Sequence, residues 1–444
     1  MTEECTPVAG PVWLKKRWSL KNNPFPSTGI ARLGGTDLRE NGLLYEPNVN
    51  GEQLREAIDK FVLGAAFSGL KFGYIWSTGT APGDSDARGF GKSVLMQHLT
   101  GILNKDFGKG AYLTSGLDED DAAEVPMCGL LTSFDTAHVR SLGAALFTAV
   151  EYATDFRAGD GDATLSQLLR QELVTRTGSD DPRTLLKVVA DEYRSLRGRT
   201  LGPPDDKLIV ALCDEDPKVA VDYLDQVKPT SRNRNGAVYL ATFLLFAAAA
   251  GMKHVLLCCD QLEDLASTTT ARAKRDLETE RFRDVIVETL PMADMLSVVV
   301  TMHPRAALTI GTAWELADLP PFETTEANRH RTVILSGLRN VSEATKLLTR
   351  YLDAAVKPGS SRAPGDLYPF TTAAISALFG RSNRKPRDVL RKAHSVMDSA
   401  AGENLDVIDV ADVSRYLDAL GSAFDDEASP GFAAPAGTLD WSRG

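Results

Sequence analysis

The 444-residue chain reads as an α/β protein: a doubly wound, mostly parallel sheet followed by a smaller, all-helical unit. Two patterns predict this. From residue 51 to 335, short apolar runs of strand length alternate with stretches whose apolar residues recur at helical spacing. Such alternation builds parallel sheets through crossover helices. Beyond residue 335 only helical spacing recurs.

Residues 1–50 are rich in Pro, Asn and Gly, and Asn23-Pro24-Phe25-Pro26 cannot be helical throughout. An irregular N-terminal arm is expected there. Leu54, Ile58, Val62 and Leu63 share one stripe of a helix over Gly51 to Ser68. Phe72 to Ser77 is the first strand, and a Gly-rich loop leads to a helix that starts near Lys92. Met127 to Phe134 is the second strand, followed by a helix from about Val139 to Tyr152. Between about 158 and 235, turn clusters such as Gly202-Pro203-Pro204-Asp205 separate short helices, which form a helical elaboration. His254 to Asp260, Leu296 to Thr301 and Arg331 to Leu335 are strands three to five, with a charged helix over Ala271 to Leu290 between the first two. The α/β unit therefore runs over 51–335 and the helical unit over 336–421. Residues 422–444 mix Asp, Glu, Ala, Pro and Gly and are expected to be disordered.

The bulk composition narrows the function. Hydrophobic residues make up 43% and charged residues 25%, the balance of an ordinary globular protein. A net charge of −11 argues against a surface basic all over and built to coat nucleic acid. Five cysteines form no C-x-x-C pair, and Cys258-Cys259 lie in an apolar run, where free Cys acts as a small hydrophobe. No disulfide framework or zinc site is expected, and a cytoplasmic setting fits. Neither a signal peptide nor a membrane span is read: the most apolar stretch, Ala237 to Gly251, is too short to cross a bilayer.

The segment that carries chemistry is Asp86-Ala87-Arg88-Gly89-Phe90-Gly91-Lys92-Ser93, which follows a strand and opens a helix. Glycines let backbone N–H groups approach phosphates, Lys neutralises the β and γ phosphates, and a Ser hydroxyl ligates Mg²⁺. The helix N-terminus adds partial positive charge. Gly89, Phe90, Gly91, Lys92, Ser93 and Val94 are the candidate phosphate-binding residues. The first Gly of the usual G-x-x-x-x-G-K-[ST] pattern falls on Asp86, and the loop from Ser77 to Lys92 is longer than usual. Gly79, Gly83 or Gly89 are left to make its turn.

A second motif is acidic. Leu256-Leu257-Cys258-Cys259-Asp260-Gln261-Leu262-Glu263-Asp264 is an apolar strand ending in acids. Asp260 suits Mg²⁺ binding and Glu263 suits activation of an attacking water, with Asp264 as the alternative base. The bland alternative is helix capping and solvation. Thr301 ends the neighbouring strand as a candidate γ-phosphate sensor, whereas His303 reads as a loop residue. Arg387 projects from the first turn of a helix opened by Pro386, where Pro belongs. From there it could swing over the phosphates.

The order of these parts resembles the AAA+ ATPases over roughly residues 20 to 420. The likeness is to the branch of origin-recognition-type replication initiators, and to related ATPases of bacterial secretion, transposition and phage-defence systems. Trp18-Ser19-Leu20-Lys21-Asn22-Asn23-Pro24-Phe25 looks like the arm before the first helix in the secretion and transposition members. Lys385-Pro386-Arg387-Asp388-Val389-Leu390 is similar to the sensor 2 helix, with Arg387 on the sensor arginine. Leu256 to Leu265 is similar to Walker B of this branch, and also resembles the signalling STAND group, where Asp-Gln-hydrophobic-Glu is frequent. The resemblance implies a P-loop NTPase domain with a helical lid, and ATP and Mg²⁺ as ligands. It also implies self-association into a ring or filament, protein partners in a larger complex, and an arginine finger, for which Arg305, Arg329 and Arg331 are candidates.

Three functions stay open on the sequence: an ATP-hydrolysing switch in a larger bacterial assembly, a non-hydrolysing nucleotide-binding scaffold, and a STAND-type signalling NTPase. Contact with DNA would rest on local patches. Arg381 to Lys392 holds six basic residues against one acid, enough to meet a phosphate backbone, though a solvated face or contact with ATP itself is the default reading.

Overall fold

A computed structural model describes residues 9–29, 37–77, 89–134, 141–156, 163–196, 203–262, 272–284, 295–301, 306–321 and 326–420. Five strands, β1 (Phe72–Ser77), β2 (Met127–Ser133), β3 (His254–Asp260), β4 (Leu296–Thr301) and β5 (Thr332–Leu335), form one sheet in the order β2-β3-β4-β1-β5. Every pairing is parallel. The chain leaves β1 for the far edge at β2, returns through β3 and β4, and crosses β1 to end at β5. Connections from β1 and from its neighbour β4 thus run in opposite directions, which makes a topological switch point beside β1.

The central strands are apolar on both sides because both sides are covered, while Ile334 of edge strand β5 is exposed. Phe72, Tyr74 and Trp76 of β1, Val255, Leu257 and Cys259 of β3, and Val298 and Val300 of β4 belong to one core. The helices Leu142–Asp155 and Pro229–Ala249 supply the opposite wall of that core. Ile75, Leu256, Cys258, Val299, Val333 and Leu335 face a second core with the helices Gly51–Ala57, Gly64–Ser68 and Lys92–Asp106. Helices on both faces of a parallel sheet are the doubly wound arrangement expected. The buried thiols of Cys258 and Cys259 are pushed up by desolvation, so they pack as neutral apolar groups.

The two large helices of the first core touch backbone to backbone. A Cβ on Gly236 would stand 1.7 Å from the carbonyl oxygen of Gly143, so only glycine fits the crossing. Leu165–Thr177, Pro182–Ser195, Asp206–Cys213 and Lys218–Asp225 add to this core through Leu169, Leu185, Leu208 and Leu224. The helix expected from Val139 is described from Leu142, because the Ser141 side chain caps Ala144 N–H and Glu278 takes Leu142 N–H at 3.2 Å. The fifth strand begins at Thr332, since Glu326–Arg331 is a 3₁₀ turn.

A third core lies in the C-terminal helices Val341–Ala355, Thr372–Gly380, Pro386–Gly402 and Val410–Leu420. The N-terminal arm belongs to it. Gly10–Lys16 is a short helix where the composition suggested irregular chain, with Pro at its N-terminal end. Leu14, Trp18, Leu20 and Phe25 are buried among the C-terminal helices, which supplies the order that local propensity lacks. The indole N–H groups of Trp13 and Trp18 donate to the carbonyls of Leu405 and Asp406. The segment expected to be a tail, 422–444, lies outside the described residues. Among the described residues no helix is long and apolar enough to cross a membrane.

The arm is pinned by a titratable clasp. His394 Nδ1 lies 2.8 Å from the Phe25 carbonyl oxygen, and its Nε2 lies 3.2 Å from Asp398. Burial disfavours the imidazolium, but the hydrogen bonds to Asp398 and Phe25 outweigh it, so the His394 pKa is raised. Burial likewise opposes the Asp398 carboxylate, and bonds from His394 and Asn23 reverse the sign, so its pKa is lowered. A raised His pKa contributes stability that is complete below the free value of 6.5 and fades as pH climbs through the folded value. A lowered Asp pKa contributes stability that is present above the free value of 3.8 and fades on acidification. The clasp therefore contributes most between those two values. Thermal unfolding of His394→Gln is expected to show a lower midpoint than wild type at pH 5.5, with the gap closing by pH 8.5; a gap that widens with pH contradicts the assignment.

Candidate functional site

Strand periodicity assembles the site. Alternate residues of a strand point to opposite faces. On β1, β3 and β4 the positions facing the Lys92–Asp106 helix end in Ser77, Asp260 and Thr301. All three are polar and at most 2% exposed, at the carboxyl ends of adjacent parallel strands. Buried polar groups must find partners, and they find them in each other and in the helix. Lys92 Nζ donates to Ser77 Oγ at 3.1 Å. Thr301 Oγ1 donates to Asp260 Oδ1 at 2.5 Å and accepts the Gln261 N–H at 3.0 Å. Among the described residues, Thr301 is the one side chain bonded to the Asp260 carboxylate.

Ser77 and Asp260 stand on strands separated by β4, so the cationic and anionic sides of the site are two strand spacings apart, about 9–10 Å. The Lys92–Asp106 helix opens without a side-chain cap: Gly91 occupies the N-cap position at φ +92°. Its left-handed backbone suits glycine, and glycine offers no side-chain oxygen to the first amides of the helix. Gly91, Lys92, Ser93 and Val94 are half-buried.

The loop before the helix is held from both flanks. Asn50 Nδ2 donates to the Phe90 carbonyl at 3.2 Å, and the Arg387 backbone N–H donates to the Gly89 carbonyl at 3.2 Å. Phe90 is fully buried, with the Lys385 ammonium 5.5 Å from its ring centre. The Tyr45 ring stacks on His98 of the same helix at 3.9 Å. With their carbonyls bonded outward, Gly89 and Phe90 leave the helix dipole to act on whatever lies at its N-terminus.

The structure thus brings Gly89 to Ser93, Asp260, Thr301 and Arg387 to one end of the sheet. Thr301 is engaged with the Asp260 carboxylate rather than standing free. Arg387 Nε donates to the Thr28 carbonyl at 3.2 Å. Glu263, Asp264, His303, Arg305, Asp86, Gly79 and Gly83 lie outside the described residues. Arg329 is exposed, 3.6 Å from Glu326, and Arg331 donates to His330, both in the turn before edge strand β5. In the basic stretch, Arg381 pairs with Asp418 at 2.5 Å and Lys392 donates to the Arg381 carbonyl. No group of three or more His, Cys, Asp or Glu side chains among the described residues could hold a metal ion by itself. A cation here would depend on Ser93, Asp260 and phosphate oxygens together.

Sequence reasoning missed Ser77, Asn50 and Lys385. The signal for Ser77 was available, since it shares its parity with Ile75. Asn50 carries no such signal, because its contact spans forty positions of sequence. Comparison with protein-family models and with curated proteins finds no match to this chain.

Replacing Thr301 by Val keeps the shape and deletes the hydroxyl, leaving the Gln261 N–H and Asp260 Oδ1 without it. Urea unfolding is expected to show a loss of about 2 kcal/mol for Thr301→Val, and less than half of that for Thr301→Ser. Equal losses from both variants contradict a role for the hydroxyl.

Proposed function

We propose that the chain is an ATP-binding and ATP-hydrolysing switch of the AAA+ type, with its C-terminal helices acting as the lid. The observation that carries this reading is the placement, beside a topological switch point, of the Lys92 ammonium at a helix N-terminus opened by Gly91, with the Asp260–Thr301 pair on the next two strands. Phosphates favour helix N-termini at such points, and Lys92 can exchange its neutral Ser77 partner for charged β and γ oxygens. Charge-assisted bonds are roughly twice as strong as neutral ones, so the exchange favours bound triphosphate.

Ser93 and Asp260 would hold Mg²⁺, which neutralises charge on the transferring phosphoryl group when bound. Thr301 fixes the Asp260 carboxylate in one orientation, which lowers the cost of ordering it around a cation. Glu263, three residues beyond Asp260, is assigned to polarise the attacking water. Arg387 follows the phosphate loop through its bond to Gly89 and is assigned to the γ phosphate. Ring or filament assembly and protein partners in a larger bacterial machine remain part of this reading through the family resemblance.

Lys92→Ala is expected to abolish ATP binding in titration calorimetry, while Glu263→Gln binds ATP and releases phosphate at least a hundredfold more slowly. Unchanged phosphate release by Glu263→Gln contradicts the assignment of the base. Tight ATP binding by wild type without any release points instead to the non-hydrolysing scaffold, and ADP retained through purification points to the STAND-type switch.

A further inference from the structure

Arm residues 23–29 run along one stripe of the Pro386–Gly402 helix. Residues 387, 391, 394 and 398 follow steps of three and four and so share a face. Asn23 Nδ2 donates to Asp398 Oδ1 at 2.7 Å and to the His394 carbonyl at 3.0 Å. The Phe25 carbonyl meets His394, and the Thr28 carbonyl accepts Arg387 Nε at 3.2 Å. Arg39 holds the Asn23 carbonyl from the other side at 2.9 Å.

At the end of this stripe the Arg387 stem lies between two glycines. A Cβ on Gly29, whose φ is +61°, would stand 2.7 Å from Arg387 Cγ and 3.1 Å from Arg391 Cγ. A Cβ on Gly89 of the phosphate loop would stand 2.9 Å from Arg387 Cβ. The arm and the loop therefore close on the same methylenes from two sides, and neither position has room for a side chain without moving Arg387.

We propose that Thr28 and Gly29 are positioning residues for Arg387: the N-terminal arm sets where this guanidinium stands relative to the phosphate loop. The proposal rests on the nucleotide reading above, which assigns Arg387 to the γ phosphate. A long side chain loses rotamer freedom when it engages a ligand. Confinement between Gly29 and Gly89, with Nε bonded to a backbone carbonyl, removes much of that freedom before nucleotide arrives. Removing the confinement penalises ATP, which carries the γ phosphate, and spares ADP, which does not.

The test is the ratio of ATP to ADP affinity, together with kcat and KM, for the full chain and its variants. Arg387→Ala defines the full effect. Gly29→Ala is expected to lower the ATP-to-ADP preference about tenfold, with ADP affinity within about twofold of wild type. The Gly29→Ala/Arg387→Ala double variant is expected to be no worse than Arg387→Ala, because both changes act through one side chain. Gly29→Asn, which tolerates the left-handed backbone but keeps the clash, is expected to behave as Gly29→Ala. Asn23→Ala leaves residue 29 intact and releases the arm from Asp398; a shift in the same direction supports the proposal even where Gly29 variants fold poorly. An unchanged preference in Gly29→Ala, or in Asn23→Ala if that variant alone is folded, overturns the proposal while Arg387→Ala still shows its effect. Multiplying losses in the double variant overturn it as well. An Arg387→Ala protein that binds ATP and ADP as wild type does overturns the assignment of Arg387 itself, and the proposal with it.

Discussion

The two-residue period of the β-strand is the constraint on which the site depends. It places Ser77, Asp260 and Thr301 on the side of the sheet that carries the Lys92–Asp106 helix, and parallel pairing brings their strand ends to one edge. A one-residue slip in any of these strands would turn its terminal polar group into the opposite core. There it would lie among Trp76, Cys259 and Val300 and their neighbours, a largely apolar core. Packing and the placement of these polar groups are therefore specified by the same register.

A second constraint joins the ends of the chain. The arm contributes Leu14, Trp18, Leu20 and Phe25 to the core of the C-terminal helices, so those helices are completed by residues more than three hundred positions away. The same helices return to the α/β unit through the Arg387 N–H, which donates to the Gly89 carbonyl, and through Lys385 over the Phe90 ring. The loop at Gly89 is thus tied to the start of the Pro386–Gly402 helix and, through the stripe that the arm covers, to the arm itself. In the AAA+ reading this is the route by which bound nucleotide alters the surface offered to partners.

Much of the fold was legible because its strands are short apolar runs with abrupt ends. β1, β3 and β4 match their expected limits residue for residue, since each ends where a polar residue follows a buried stretch. The start of β5 was displaced by one residue because Arg331 closes a 3₁₀ turn. The helix at Gly10–Lys16 was hidden, since seven residues with two Lys and one Pro have little helical tendency alone and are ordered by distant packing. The candidate site residues Lys92, Ser93 and Asp260 are singled out by local motifs. The contacts that hold the loop before the Lys92–Asp106 helix are not: Asn50 to Phe90, Arg387 to Gly89 and Lys385 over Phe90 join segments far apart in sequence, and no local pattern encodes such pairs.

The most direct test of the account is a structure of the full chain with Mg²⁺ and a non-hydrolysable ATP analogue. The account predicts the triphosphate on the N-terminus of the Lys92–Asp106 helix, with the Lys92 ammonium moved from Ser77 to the β and γ oxygens and the metal held by Ser93 on the side of Asp260. An analogue bound elsewhere, or Lys92 still on Ser77 with the analogue present, contradicts it.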